Sequence, residues 1–169
     1  MTIERTLIVD ATTVNMKITR MAHELYERHH KSKEIFLVGI KGQGMDLAQR
    51  IGRELSQISP LEVHVETISL IKSNPSNKEI SFSSERSALK GKTVVLIDDV
   101  LNSGRTLIHA AGFLIEAELK QMSIATLVER SHRRFPVKAG IVGLTISTNL
   151  KEHISVELTK GKEGIYLEA

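Results

Sequence analysis

The sequence contains no cysteine and no long apolar run. Without thiols, the chain can form neither a disulfide framework nor a thiolate metal site, and a cysteine nucleophile is excluded. No run reaches the roughly eighteen apolar residues that a helix needs to cross a membrane. The opening residues, MTIERTLIVD, carry charge early and lack the apolar core of a signal peptide. We therefore expect a cytoplasmic protein.

The chain also has little excess of positive over negative charge. The chain has 23 Lys and Arg against 20 Asp and Glu, a net charge of +3. This excess is too small to predict nucleic-acid binding from overall charge, although a local basic patch can still provide it. At 169 residues and 41% hydrophobic content, the chain suits a globular domain with a substantial core. No internal repeat or linker divides it, so we assign residues 1–169 to a single domain.

Apolar periodicity predicts helices along the stripes Val14–Leu25, Met45–Leu55 and Leu107–Leu119, with Thr12 or Thr13 as the first N-cap. Short apolar or alternating runs predict strands at 34–40, 62–70, 93–97, 123–128, 140–147, 154–158 and 164–167. Strands that alternate with helices indicate an α/β fold, with a mostly parallel sheet flanked by helices. After Pro136 only strands follow, which predicts a small β-rich C-terminal part.

Two adjacent acids, Asp98 and Asp99, end the buried strand, and the loop Asn102–Thr106 leads from them into a helix. Buried carboxylates are costly unless they bind something. In an open parallel sheet, ligands bind beyond the carboxyl ends of the strands, where this acid pair lies. A structural alternative is that the acids only cap the following turn.

The loop after the acids suits a phosphate group. Free backbone N–H groups at a helix start attract anions, Gly104 permits a close approach, and Ser103 and Thr106 add hydroxyl donors. The carboxylates would repel the phosphate, so they should bind another part of the same ligand. Because carboxylates accept hydrogen bonds and vicinal ribose hydroxyls donate them, a sugar phosphate satisfies both halves of the site.

A second loop, Gly39-Ile40-Lys41-Gly42-Gln43-Gly44, also joins a strand to a helix. It matches neither the P-loop nor the dinucleotide-binding pattern. Alone it would more often be a plain strand-to-helix turn, since glycine punctuates any loop. Beside the acid pair, it suggests a second anion site, as a ribose with phosphate at one end and pyrophosphate at the other would need.

The stretch VVLIDDVLNSGRTL resembles the phosphoribosyl pyrophosphate (PRPP) signature of the type I phosphoribosyltransferase family. ITRMAHELYERH, FLVGIKGQG and LVERSHRRFPVKAGIVG extend the resemblance to one subgroup, the bifunctional pyrimidine-operon attenuators with uracil phosphoribosyltransferase activity. This similarity runs in order through nearly the whole chain. It implies the type I phosphoribosyltransferase fold, with a small C-terminal β-rich hood over the base.

The resemblance also implies a pentosyltransferase that converts uracil and PRPP to a nucleotide monophosphate and pyrophosphate. Mg²⁺ would be held mainly by PRPP and water, without direct protein ligands. The implied roles are Asp98 and Asp99 at the ribose; Asn102, Ser103, Gly104, Arg105 and Thr106 at the 5′-phosphate; Lys41, Gly42, Gln43 and Gly44 at the pyrophosphate; Lys72 in a mobile loop or loose hairpin over 72–90; and Val142 and Ser147 in the hood.

Several positions depart from the pattern. Purine-specific relatives have an acidic residue at the position of Asn102. The asparagine here therefore argues against hypoxanthine or guanine as the base. The subgroup has a basic residue at the position of Gln43. It also has Tyr-Arg where this chain has Ile71-Lys72, and a lysine cannot form the two parallel hydrogen bonds that an arginine guanidinium makes. These changes would weaken pyrophosphate binding. They favour, as an alternative, a nucleotide-sensing transcriptional attenuator with little or no transferase activity.

The resemblance further implies a surface that binds a messenger RNA leader hairpin, and a homodimer or larger homo-oligomer. The RNA candidates are Thr19, Arg20, His23, Arg28, His132, Arg133 and Lys138. Against this, Leu144 stands where the subgroup has a lysine, and most such charges are simply a solvated face.

Overall fold

The computed structural model describes residues 5–71, 79–149 and 151–168. Lys72 therefore lies outside the described residues, as does part of the loop or hairpin expected over 72–90. The strands are β1 (Arg5–Val9), β2 (Glu34–Ile40), β3 (Glu62–Ser69), β4 (Ser81–Phe82), β5 (Thr93–Leu101), β6 (Gln121–Arg130), β7 (Ile141–Ile146), β8 (His153–Glu157) and β9 (Gly164–Glu168). The helices are α1 (Ala11–His29), α2 (Gln43–Ile58) and α3 (Arg105–Ile115), with a 3₁₀ helix at Arg86–Leu89.

The larger sheet has six strands in the order β4-β3-β2-β5-β6-β7. Neighbouring strands from β3 to β7 pair in parallel, and only the short β4 is antiparallel, against the end of β3. This confirms the prediction of a mostly parallel sheet. The order places β2 and β5 side by side at the centre, so the two loops that follow these strands lie on the same edge.

Helices cover both faces of this sheet. On one face, α1 and α2 bury Ile18, Leu47 and Ile51 in a cluster that also contains Leu37 of β2. On the other face, α3 packs against the opposite side chains of the same strands, Val38 among them. Because both faces are covered, β2 and β5 consist of nearly continuous apolar residues rather than alternating ones.

The first helix begins two or three residues earlier than the sequence suggested. Asp10 is the N-cap, and its side chain accepts a hydrogen bond from Thr13 N at 2.9 Å. Thr12 and Thr13 both lie inside the helix, so the prediction of a threonine cap was wrong. The predicted strands and helices otherwise recur with shifts of a few residues at their ends.

A separate three-stranded antiparallel sheet, β1-β9-β8, forms the hood. Its N-terminal member, β1, was not predicted, since four of its five residues are exposed and show no apolar alternation. Arg5 pairs with Glu168 at the opposite end of the chain. Of the three strands predicted after Pro136, only β8 and β9 belong to the hood, because β7 extends the main sheet in parallel with β6.

Of the helices in the described part of the chain, none combines the length and the apolar character that crossing a bilayer requires.

Candidate active site

The acid pair lies within the last part of β5, which continues to the buried Leu101 and does not end before the acids as predicted. Asp98 is only 3% exposed, while Asp99 is half-buried. The Oδ1 atom of Asp98 accepts a hydrogen bond from Asp99 N at 3.0 Å. Both carboxylates line a pocket of about 300 Å³. An acid as deeply buried as Asp98, at the mouth of a pocket, suits the binding of hydroxyl groups.

The predicted phosphate loop lines the same pocket, with each of its five residues contributing to the wall. Gly104 is the N-cap of α3 with φ 84°, a left-handed conformation that glycine adopts without strain. The first helical hydrogen bond runs from Ile108 N to Gly104 O at 3.0 Å. The N–H groups of Thr106 and Leu107 therefore lie at a helix start, where an anion is favoured.

The back of this loop is fixed by the segment after β6. Ser103 O accepts hydrogen bonds from Arg134 N at 3.1 Å and from Phe135 N at 3.0 Å. A Cβ atom at Gly104 would lie 3.3 Å from the Cβ of Val137, so the segment packs closely on the loop. These contacts hold the loop in place before any ligand binds.

The second glycine loop packs directly on the acid pair. A Cβ atom at Gly44 would lie 2.9 Å from Oδ1 of Asp98, and one at Gly39 would lie 2.6 Å from Cα of Met45. Gly42 has φ 102° and caps α2, and Lys41 is exposed beside it. The structure thus brings both predicted anion loops to the carboxyl edge of the sheet, on either side of Asp98.

Gln43 bonds to the hood. Its Oε1 atom accepts a hydrogen bond from Leu158 N at 2.9 Å. The pKa of Glu157 is held below its usual value, chiefly by hydrogen bonds from the hydroxyl and N–H of Thr159 and also by one from the side chain of Gln43. The Gln43 side chain is therefore held against the end of β8.

The rest of the pocket wall comes from β8, through His153, Ile154, Ser155 and Val156. Sequence reasoning missed these residues. The alternation in HISVE, with Ile154 and Val156 buried, was visible as a strand, but nothing local showed that this strand faces Asp98. Val142 and Ser147 were predicted for this role, and neither lines this pocket.

The structure places Val142 in β7, the edge strand of the main sheet, and Ser147 just after it. Val142 lies in β7, where its carbonyl oxygen accepts a hydrogen bond from Arg20 Nη2 at 2.7 Å. Ser147 follows β7, is exposed, and lies 3.0 Å from the hydroxyl of Ser131. Their assignment to the base site stays an untested prediction.

Three of the four RNA candidates on α1, Thr19, Arg20 and Arg28, make polar contacts within the protein. Arg20 also donates to Gly143 O at 2.7 Å, and Arg20 and Arg28 bond opposite oxygens of Glu24, at 3.1 and 2.6 Å. His23 is exposed, and the Thr19 hydroxyl lies 3.4 Å from a carboxylate oxygen of Glu54.

The remaining RNA candidates follow β6. Arg133 pairs with Glu129 at 2.9 Å, while His132 and Lys138 are exposed. His132 and Arg133 line a second depression of about 330 Å³, whose wall also includes Asn102 and Ser103 of the phosphate loop. The basic segment after β6 and the phosphate loop are therefore neighbours in space.

Comparison with known proteins decides the family. Residues 6–160 match the phosphoribosyl transferase domain. The chain belongs to this family. The match confirms the resemblance and the expectation of a pentosyltransferase that uses PRPP.

Curated relatives narrow the membership to the bifunctional PyrR proteins. The protein named bifunctional protein PyrR from Enterococcus faecalis is 35% identical over 89% of this chain and 88% of its own length. That of Clostridium kluyveri is 33% identical over 92% of each chain, and that of Fusobacterium nucleatum is 32% identical over 99% of each. Identity at this level over nearly full length places the chain in the PyrR group.

Solved structures confirm the fold. A hypoxanthine-guanine phosphoribosyltransferase from Bacillus anthracis superposes with a TM-score of 0.72 at 16% identity, covering 100% of this chain and 99% of its own. A hypoxanthine phosphoribosyltransferase from Staphylococcus aureus gives a TM-score of 0.70 at 18% identity, over 83% and 77% of the two chains. At such low identity the likeness concerns architecture alone.

Proposed function

We propose that this protein transfers the phosphoribosyl group of PRPP to uracil, giving UMP and pyrophosphate, within one domain spanning residues 1–169. The carrying observation is the packing of Gly44 against Asp98, with the Asn102–Thr106 loop in the same pocket. It supports one site with two anion loops on either side of an acid pair.

The residues of the site contact different parts of the ligand according to their charge. The loop Asn102–Thr106 takes the 5′-phosphate at the start of α3, and Asp98 and Asp99 accept hydrogen bonds from the ribose hydroxyls. The loop with Lys41 faces the pyrophosphate. As the bond between the ribose C1 carbon and pyrophosphate breaks, positive charge develops on the sugar. N1 of uracil attacks C1, and the proton of N1 passes to water. The protein supplies position and electrostatic stabilisation, so the reaction needs no protein nucleophile.

Magnesium fits this site as part of the PRPP complex. The pocket contains two carboxylates, Asp98 and Asp99, among the residues that line it. Mg²⁺ prefers oxygen ligands, retains much of its water, and binds substrate phosphates. Bound with PRPP, the ion would neutralise the pyrophosphate as it leaves, while the two carboxylates accept hydrogen bonds from the ribose or from the ion's water shell.

Two features of the pocket support uracil as the base. Asn102 replaces the acid that purine-specific relatives use, and β8 contributes His153 and Ser155 as polar side chains of the same pocket. Uracil offers two carbonyl oxygens and an N–H group to such donors and acceptors. A screen of uracil, hypoxanthine, guanine and orotate with PRPP and Mg²⁺, read by chromatography, tests the proposal. UMP from uracil supports it, and absence of any nucleotide product refutes the transferase.

A second function is supported by the basic segment after β6. Because Asn102 and Ser103 line both the nucleotide pocket and the depression with His132 and Arg133, a bound nucleotide can alter the basic surface. We propose that this surface, with α1, binds an RNA hairpin from a pyrimidine-operon leader, in a homodimer or larger oligomer. The nucleotide would then control the binding.

Calorimetry with UMP, GMP and PRPP separates the sensor from the enzyme. Binding of UMP without turnover favours a sensor, while binding with turnover favours the transferase. Sedimentation measures the oligomer, and a monomer at working concentrations would contradict the proposed assembly.

A further inference from the structure

Arg130, at the end of β6, makes five hydrogen bonds to two separate segments of the chain. On one side, Nη1 donates to Oδ1 of Asn102 at 2.6 Å. On the other, Nε and Nη2 donate to Oγ1 of Thr148 at 2.9 and 2.5 Å, and Nη2 donates to the carbonyl oxygens of Asn149 and Glu152 at 3.3 and 3.0 Å.

These two segments lead to different parts of the lining of the nucleotide pocket. Asn102 begins the phosphate loop, and the Thr148–Glu152 segment leads into β8, whose His153 and Ser155 line the pocket. Thr148 is 8% exposed, so its hydroxyl needs a hydrogen-bond partner, which the guanidinium provides. One side chain thus joins the phosphate wall to the base wall.

The chemistry of arginine also fixes the orientation of the Asn102 amide. A guanidinium has donors and no acceptor, so Asn102 must present its oxygen to Arg130. The amide NH₂ group then remains for a ligand, and it can only donate. A donor at this point suits a phosphate oxygen or a base carbonyl oxygen, and it does not suit a protonated ring nitrogen.

The partners of Arg130 are neutral oxygens. Within the described residues, none of the ion pairs involves its guanidinium. Its positive charge therefore adds to the attraction for an anion in the neighbouring loop. A lysine would retain that charge, but its single ammonium group cannot reproduce the planar fork that reaches both segments.

We infer that Arg130 is a positioning residue that couples the phosphate end of the nucleotide pocket to its base end, and that presents Asn102 to the ligand as a hydrogen-bond donor. The inference rests on the proposed function for the identity of the ligand, UMP. The coupling itself is a property of the fold and is measured without turnover.

The first measurement is the Kd of UMP by calorimetry. Arg130→Gln should raise the Kd about ten- to a hundredfold, as expected for loss of hydrogen bonds from a charged group. Arg130→Lys should give a similar loss, because charge alone does not position Asn102. Arg134→Gln is the matched control: it removes the same charge beside the same loop, while the backbone bond from Arg134 N to Ser103 O remains.

The second measurement is hydrogen–deuterium exchange of residues 145–157 with ribose 5-phosphate, which has the phosphate and sugar but no base. In the wild type, this ligand should slow exchange in the segment that precedes β8 and in β8 itself. In Arg130→Gln and Arg130→Lys, the slowing should disappear. Thermal melts of each variant show whether the fold persists. If both Arg130 variants unfold, Thr148→Val serves instead, since it breaks two of the bonds and preserves the bond to Asn102.

Three results would overturn the inference: rescue of UMP affinity by lysine to within about threefold of wild type, an equal loss in Arg134→Gln, or wild-type exchange in 145–157 that ribose 5-phosphate does not change. The proposed transfer fails separately. A protein that shows the coupling but forms no UMP from uracil refutes the transferase and upholds the role of Arg130. A protein that forms UMP but shows no coupling supports the transferase and refutes the role of Arg130.

Discussion

Gly44 and Asp98 are packed so closely that a single methyl group on Gly44 would stand 2.9 Å from Oδ1 of the aspartate and 3.0 Å from the carbonyl oxygen of Ile97. The second glycine loop can rest on the acid pair only because residue 44 has no side chain. Two loops separated by about sixty residues of sequence thereby become parts of one pocket.

Gly44→Ala should therefore disturb ligand binding as well as stability. The added methyl group meets backbone atoms of β5, and such overpacking costs about 1–3 kcal/mol. Thermal unfolding and UMP calorimetry measure the two effects. Gly112→Ala is the control, because a Cβ there meets nothing within 4 Å, and alanine in a helix is more favourable than glycine. Equal behaviour of the two variants would refute the close packing.

Asp99→Asn should leave the fold intact, since the side chain is half-buried and lines the pocket. It should weaken binding of the ribose, because each charge-assisted hydrogen bond contributes about 1.5–3 kcal/mol, or one to two decades in Kd. UMP calorimetry checks this against Asp46→Asn, the same change at an exposed position of α2 outside the pocket. If Asp99→Asn is largely unfolded but its folded fraction binds UMP with full affinity, the acid pair serves the stability of the fold and not ligand binding.

Asp10 should make α1 sensitive to acid. The hydrogen bonds from Thr13 hold the pKa of Asp10 below its usual value near 3.8. Since the folded pKa is lowered, the carboxylate contributes stability above the unfolded pKa, and this contribution is lost as pH falls through the folded pKa. Asp10→Ala should lower the melting temperature by a few degrees at pH 7 and by less below pH 4.

Asp10→Asn supplies the matched comparison. Asparagine is an equally good N-cap without a titrating group, so it should retain most of the stability at neutral pH and show less loss on acidification. If the alanine and asparagine variants have the same melting temperature at every pH, Asp10 does not cap the helix in solution.

Lys138→Gln should weaken RNA binding and reduce its salt dependence. Each phosphate contact contributes a log–log slope of about −0.7 for single strands. Filter binding of a pyrimidine-operon leader hairpin over a salt series, with and without UMP, measures this. Lys90→Gln is the control, since Lys90 lies at the opposite end of β5 from Asp98 and pairs with Glu118. If a scrambled hairpin binds as well as the leader and UMP has no effect, the basic segment after β6 does not recognise RNA specifically.

Most of the main sheet could be predicted, because its strands and helices have local signals. The acid pair lies in β5, the two loops follow β2 and β5, and the order β2-β5 brings all three together. The threonine cap was wrong because capping depends on which oxygen reaches the first free N–H groups. Asp10 reaches Thr13 N from just outside the helix.

The hood could not be derived in the same way. β1 pairs with β9 across nearly the whole chain, and Gln43 contacts Leu158 across 115 residues. No local pattern records such contacts. The role of β8 at the pocket was hidden for the same reason, since its alternation shows a strand and not the surface that the strand faces.

The most direct test of the central proposal is a single reaction of the purified protein with PRPP, uracil and Mg²⁺, in which UMP and pyrophosphate are quantified together over time. The proposal predicts that both products appear at equal rates, that hypoxanthine and guanine give none, and that Asp99→Asn slows the reaction. UMP binding confirmed by calorimetry, together with no UMP and no pyrophosphate formed from uracil, would contradict it.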